Sequence, residues 1–388
     1  MPAHAADAIR IMSGFAERTG LTSDAGPKRY LWTDAFALCN WLELYRESRD
    51  ERYRDLAATL IEQVHLVLGR HRPDDSRTGW LSGLPEEEGA LHPTAGGLRI
   101  GKPLPERRTN EPFDDRLEWE REGQYFHYLT KWIDALIRAA VILDAPHFRT
   151  QAAELAKAVF RPFLLTSPSG RPVGLSWKMS MDLSRPLVAG SNPHDALDGY
   201  VTYRLVEEIG GGSNSPQISS EINVLRQLCI DVQWGTSDPL GIGGLLLDAF
   251  RLATLPDLQT SEKQLLGNII FGAEAGVQQF LRSGAMQGQP AMRLAFRELG
   301  LAIGLQALPA IAIAANRLGM MTGSIAASLS SLLSFGKVDR AIVDFWSELQ
   351  NQRVSTWQDH RDINEVMLVA AILHSQVGTA PLPAPQTA

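Results

Sequence analysis

An all-α fold is predicted by two observations. Apolar residues recur at helical spacing in segment after segment, and no convincing series of period-2 strands interrupts them. The predicted helices cover 3–19, 30–48, 52–70, 120–142, 148–164, 194–209, 217–233, 239–254, 260–283, 293–315, 321–350 and 360–376. Ser48-Arg49-Asp50 ends the second of them, and Pro146 and Pro162 bracket the fifth. Gly210-Gly211-Gly212-Ser213-Asn214 marks a flexible turn, and short links of this kind make antiparallel neighbours.

Composition sets the outer limits. The chain has 388 residues, enough for one large domain or two small ones with a sizeable core and no staples. Two cysteines, Cys39 and Cys229, exclude a disulfide framework and a thiolate zinc cluster, and no metal or other cofactor is expected. A net charge of −7 argues against nucleic-acid binding through a global basic field. The first residues carry neither a basic nor an apolar leader region, so a cytoplasmic location is expected. The longest apolar run, 299–315, falls short of the ~20 residues of a membrane helix and is read as a buried one, with no membrane partner.

The helices sort into two alternating kinds. Those at 52–70, 148–164, 217–233 and 260–283 carry charged or amide side chains on one face and read as solvent-facing. Those at 239–254 and 299–315 are apolar nearly all round and rich in glycine, as enclosed helices are. Six openings share a pattern of a polar cluster running into small and apolar residues: Trp32-Thr33-Asp34, Glu118-Trp119-Glu120, His194-Asp195, Thr236-Ser237-Asp238, Arg297-Glu298 and His360-Arg361-Asp362. Helical hairpins that cannot bury their faces alone must stack or close into a ring.

In this alternation, and in the aromatic-Asp opening and later Leu-Glu-Leu-Tyr of segment 30–45, the sequence resembles the six-hairpin (α/α)6-toroid superfamily of carbohydrate-active enzymes. That superfamily includes glycoside hydrolases, unsaturated glucuronyl hydrolases and the N-acylglucosamine 2-epimerase group. The resemblance implies a single toroid over 1–376, followed by a flexible tail at 377–388. It also implies that the polar ends of the inner helices line one mouth, where substrate binds, and that helix 3–19 is an outer helix closing against the last. Two long links, 71–119 and 163–193, enter inner helices and would fall at that mouth, the second with a short β-hairpin.

Candidate chemistry follows from these openings. Glycosidic cleavage requires two carboxylates, one of raised pKa as acid and one ionised, and the candidates are Asp34, Glu120, Asp195, Asp238 and Asp362. Acidic residues at helix starts are also favoured by capping and the helix dipole alone. Glu120, Gln124, His127 and Lys131 share one face of the predicted helix 120–142 and would line either the lumen or a solvated side. His194 and His360 each adjoin an aspartate and suit proton transfer to a sugar carbon, the chemistry of an epimerase.

Trp32, Trp119, Trp177, Trp234 and Trp357 fall at loops or openings, where rigid rings stack on sugar C–H faces or plug the ends of a barrel. Arg99 and Lys102 lie in a stretch, 92–108, of local charge +3, suited to an anionic sugar or to solvent. Asp114-Asp115-Arg116-Leu117-Glu118 lacks the second motif of a terpene synthase, and Gly241-Ile242-Gly243-Gly244 follows no strand and is no dinucleotide loop. The expected function is therefore glycoside hydrolysis on a small-molecule or oligosaccharide substrate. A sugar epimerase and a non-catalytic glycan- or protein-binding toroid are the alternatives.

Overall fold

Helices supply nearly all regular structure in the computed structural model, which describes residues 5–210 and 215–377. The described residues divide into two units, one of Ala16–Cys229 and one of 230–377 together with 5–15. Helix α1 (Ala5–Arg18) runs across the first boundary. The tail expected from residue 377 lies, from 378 on, outside the described residues, as does most of the turn expected at 210–214.

In the Ala16–Cys229 unit, α2 (Leu31–Ser48) buries every residue from Leu31 to Leu44. Its partner α3 (Glu51–Leu68) buries only a stripe, Tyr53, Ala57, Leu60, Ile61, Val64 and Leu68 among them, at the spacing of a single helical face. Arg49 in the left-handed region ends α2, and the Asp50 carboxylate, accepting from the Arg52 N–H, starts α3. The short α4 (Glu86–Leu91) and α5 (Asp115–Glu120) lie in the first long link. Two more such pairs follow: α6 (Phe126–Ile142) with α7 (His147–Phe163), and α8 (Pro193–Ile209) with α9 (Ser219–Leu228). The largely buried helices are neighbours, α2 on α6 and α6 on α8, while α3, α7 and α9 each cover one of them.

The second unit repeats the plan. Helix α10 (Pro239–Thr254) packs on α11 (Thr260–Arg282) and on α12 (Ala295–Gln306). After α13 (Leu308–Arg317), α14 (Gly323–Ser334), α15 (Val338–Ser347) and the short α16 (Ser355–Gln358), the chain returns as α17 (Arg361–Leu373), which packs on α12 and is buried from Asn364 to Ala371.

Several predicted boundaries are corrected. The helix expected over 120–142 starts only at Phe126, because 121–125 is extended. There Ile100 N–H donates to the Gly123 carbonyl and Glu122 N–H to that of Leu104, and strand β1 (Gln124–Tyr125) forms. The helix expected over 293–315 is two, since Pro309 lacks an N–H to continue the ladder and instead opens α13. The one expected over 321–350 breaks between Ser334 and Val338. The second long link does hold a hairpin, β2 (Leu164–Thr166) with β3 (Pro172–Leu175), and β4 (Lys178–Met179) pairs with β1. Among the described residues only 295–317 is long and apolar enough to cross a membrane, and 72% of its most apolar window is buried inside the structure.

Helices α10 and α12 meet backbone to backbone. A Cβ added at Gly243 would lie 2.0 Å from the Gly300 carbonyl oxygen, whereas one added at Gly244 meets nothing within 4 Å. Gly243→Ala is expected to destabilise by about 2 kcal/mol or more, since rigid backbone must move apart. Gly244→Ala is expected to stabilise by up to about 1 kcal/mol through helix propensity. Thermal melting of the two variants checks the pair.

Candidate functional site

The openings of the three buried helices in the Ala16–Cys229 unit come together. Asp195 and Asp198 sit three apart on α8 and so share a face, and His127, Thr130 and Lys131 do the same on α6. The two faces meet: His127 Nδ1 lies 3.8 Å from Asp195 Oδ2, and Lys131 Nζ lies 2.7 Å from Asp198 Oδ1. The Thr130 hydroxyl donates to Asp198 Oδ2. From the start of α2, Trp32 packs against Tyr128 and His127, with ring centroids 5.3 and 6.2 Å apart, and the Tyr30 and Tyr128 hydroxyls are 2.7 Å apart.

The electrostatics single out His127 and Asp195. Asp195 is 4% exposed, and both its Oδ2 and His127 Nδ1 are buried without a hydrogen-bond partner. Burial first, and the nearby Asp198 charge second, push the Asp195 carboxyl up to about 8, although Lys131 pulls the other way. Burial lowers His127 to about 4, with Asp198 opposing and Lys131 assisting. A neutral histidine beside a protonated aspartate and an imidazolium beside a carboxylate carry the same number of protons. Between these two limits the pair therefore retains one labile proton, whichever atom bears it. The His127 side chain is 24% exposed, and since Nδ1 is buried that exposure lies on the rest of the ring.

An aromatic surface borders the pair. Trp177 lies nearly parallel to the His127 ring, at 11° and 6.3 Å, and 5.2 Å from Tyr125. Trp119 meets Trp177 edge-on at 4.6 Å. Lys178, the next residue after Trp177, buries its ammonium completely. It donates to the Glu118 carbonyl (2.6 Å), Glu118 Oε1 (3.0 Å) and the Arg121 carbonyl (2.8 Å), which ties β4 to α5. The two long links are further joined by Arg77, 3.2 Å from Glu106 and 3.0 Å from Asp182, and by Arg107, which pairs with Glu118 and donates to the Leu187 carbonyl.

Asp34, Gln124 and Arg99 are tied into the scaffold by buried hydrogen bonds and ion pairs. Asp34 accepts from the Tyr30 N–H at 2.8 Å and lies 3.4 Å from the buried Arg29 guanidinium. Glu120 ends α5, exposed, so neither it nor Gln124 continues the α6 face that carries His127 and Lys131. The Gln124 amide is buried, donating to the Gly96 and Met181 carbonyls and accepting from the Leu98 N–H. Arg99 is buried against Glu122 at 2.6 Å. Lys102 is half-buried with its ammonium 5.4 Å from the Tyr30 ring, and burial lowers its pKa. His194 occupies the first turn of α8, where its N–H donates to the Asn192 side chain.

In the second unit the openings of α10, α12 and α17 also meet. Asp238 caps α10 through the Gly241 N–H at 3.0 Å and pairs with Arg297 at 2.7 Å, while Asn364 accepts from the Phe296 N–H. His360 is exposed with its ring on Phe296, and Asp362 is half-buried. Trp234 is buried beside Gly272 of α11, and Trp357 is buried and stacked on Trp346. Among the described residues no group of three His, Cys, Asp or Glu is placed to hold a metal ion.

The sequence reading missed Tyr30, Tyr125, Tyr128 and Lys178. The aromatic run Tyr125-Phe126-His127-Tyr128 was a visible signal for two of them; nothing local distinguished Lys178.

These shifts give stability a defined pH dependence. Asp195 binds its proton more tightly folded than unfolded, so its contribution is full below about 4 and is lost as pH rises through about 8. His127 acts oppositely, its contribution being lost as pH falls through about 4. The two offset each other at acid pH. Between the ordinary histidine value and about 8 only Asp195 acts, and wild-type stability should fall there. Melting temperatures across that window should show Asp195→Asn gaining on wild type as pH rises; parallel curves would contradict the assignment. No protein-family model matches the chain, and no curated protein matches it.

Proposed function

We propose that this protein is a carbohydrate-active enzyme that cleaves glycosidic bonds, with the His127–Asp195 pair as its proton donor. The observation that carries the reading is a buried acid of raised pKa bordered by Trp32, Tyr125 and Trp177. Departure of a sugar oxygen needs a proton at the moment the bond breaks, and a carboxyl that stays protonated to about pH 8 holds one ready at neutral pH. Trp32 and Tyr125 are buried and back the pair, while the half-buried Trp177 ring offers the C–H face of a sugar a stacking surface.

The six-hairpin toroid belongs to the same proposal. Its support is that each unit holds three largely buried helices with meeting starts, and that residues 5–15 belong to the unit formed by 230–377.

A second reading, sugar epimerisation, is favoured by one observation. The other buried aspartates at the starts of α2 and α8, Asp34 and Asp198, are each committed to a cation and to hydrogen bonds, and the buried Glu118 is paired with Lys178 and Arg107, which leaves a histidine–carboxylate pair rather than two available carboxylates. His127 would then replace His194 as the group exchanging a proton with a sugar carbon.

Asp195→Asn and His127→Ala are each expected to lower turnover by roughly 10²–10⁴-fold, the range of general acid–base catalysis, with little loss of melting temperature at neutral pH. Release of reducing ends from a panel of oligosaccharides measures hydrolysis. Deuterium uptake from solvent at a sugar carbon without cleavage would mark the epimerase. Wild-type protein showing neither, nor any sugar-dependent rise in melting temperature, would sink both readings.

A further inference from the structure

Trp119 is 45% exposed, although it is a large aromatic ring whose burial would favour folding. Its ring meets that of Trp177 and no other aromatic ring among the described residues. Trp177 in turn faces His127 and Tyr125. The aromatic surface therefore has an inner part beside the His127–Asp195 pair and an outer end at Trp119, reached in two centroid steps of 6.3 and 4.6 Å.

The chain beside the outer end is anchored in the interior. Glu118, the residue before Trp119, is buried between Lys178 and Arg107, and Lys178 is the residue after Trp177. One buried ammonium thus ties together the backbone segments that carry the two tryptophans. A surface fixed before binding loses little side-chain freedom when a ligand covers it.

We infer that Trp119 and Trp177 form an outer sugar subsite, so that the substrate is an oligosaccharide spanning more than the unit at which the bond breaks. The inference rests on the carbohydrate reading above and assigns Trp119 a role in selecting chain length. A tryptophan left 45% exposed beside a second ring has apolar surface available for stacking, and sugar stacking asks for no further charge at that point. Glu120 beside it keeps the surroundings polar, as a wet oligosaccharide requires.

The experiment uses the full chain and a series from disaccharide to hexasaccharide of β-1,4-linked glucose, mannose and xylose and of α-1,4-linked glucose and galacturonate. Wild-type kcat/KM should rise with chain length in the series that is turned over. In Trp119→Ala that rise should flatten, with a loss of roughly five- to tenfold on the longest member, carried mainly by KM. Trp119→Phe should keep part of it. An unchanged chain-length profile in Trp119→Ala, while short substrates are still processed, overturns the subsite and leaves the carbohydrate reading intact. The same profile with altered sedimentation would assign the surface to self-association instead. Turnover of no series by wild type, with no sugar-dependent shift in melting, removes the carbohydrate reading and the subsite together.

Discussion

The structure depends on a constraint of burial: a helix enclosed on nearly every side, such as α2 or α8, can neighbour another enclosed helix only if covering helices return the chain outside. Side-by-side enclosed helices that each follow a return therefore run the same way, and their starts gather at one end. The free N–H groups there need acceptors, which is why the openings are rich in Asp, Asn and Glu. In the Ala16–Cys229 unit this brings the starts of α2 and α8 each into contact with the start of α6.

At that convergence two opposing effects act on Asp195. The start of a helix and the Lys131 ammonium both favour a carboxylate. Removal from water and the neighbouring Asp198 charge oppose it, and they win: the carboxyl rises to about 8. Asp198 differs in its partners, since Lys131 and Thr130 occupy its oxygens. Two aspartates one helical turn apart thus meet different surroundings on α6: Asp198 faces a cation and a hydroxyl donor, whereas Asp195 faces the His127 ring. Lys178 shows the same logic with the sign reversed. Its buried ammonium is tolerable because a carboxylate and two carbonyls surround it, and removing it would strand Glu118 in the interior, beside Arg107 alone.

Much of the fold was legible because burial writes itself into periodicity. The enclosed character of 239–254 and the one-sided pattern of 52–70 and 260–283 follow from how many faces each helix hides, and α10 occupies the residues predicted for it. The start of α6 was not legible. Glu120, Gln124, His127 and Lys131 fit a helical stripe, yet long-range pairing with residues 100 and 104 and with β4 holds 121–125 extended, and no local signal reports a partner distant in sequence. The tyrosines were overlooked for a related reason: a ring in an apolar run reads as core until the neighbour across the helix boundary is known. Pro309 was visible, but the apolar run around it outweighed the break it imposes.

The sorting of the candidate aspartates turns on which residue caps each helix. Asp238 is itself the cap of α10, and its oxygens go to Gly241 and Arg297. Asp34 reaches back to the N–H of Tyr30, the residue before its helix. At α8 the cap is Asn192, whose side chain accepts from the His194 N–H, and Asp195 three residues later is released from that duty. Freed from the backbone, it turns to α6 and meets His127. A sequence containing Asn-Pro-His-Asp at a helix opening thus carries a distinction that the bare presence of an acidic residue hides: where Asn already satisfies the first turn, the following carboxylate is available for chemistry. By this criterion Asp195 is set apart from Asp34 and Asp238 before any distance is measured, and the 3.8 Å approach to His127 Nδ1 is where that freedom is used.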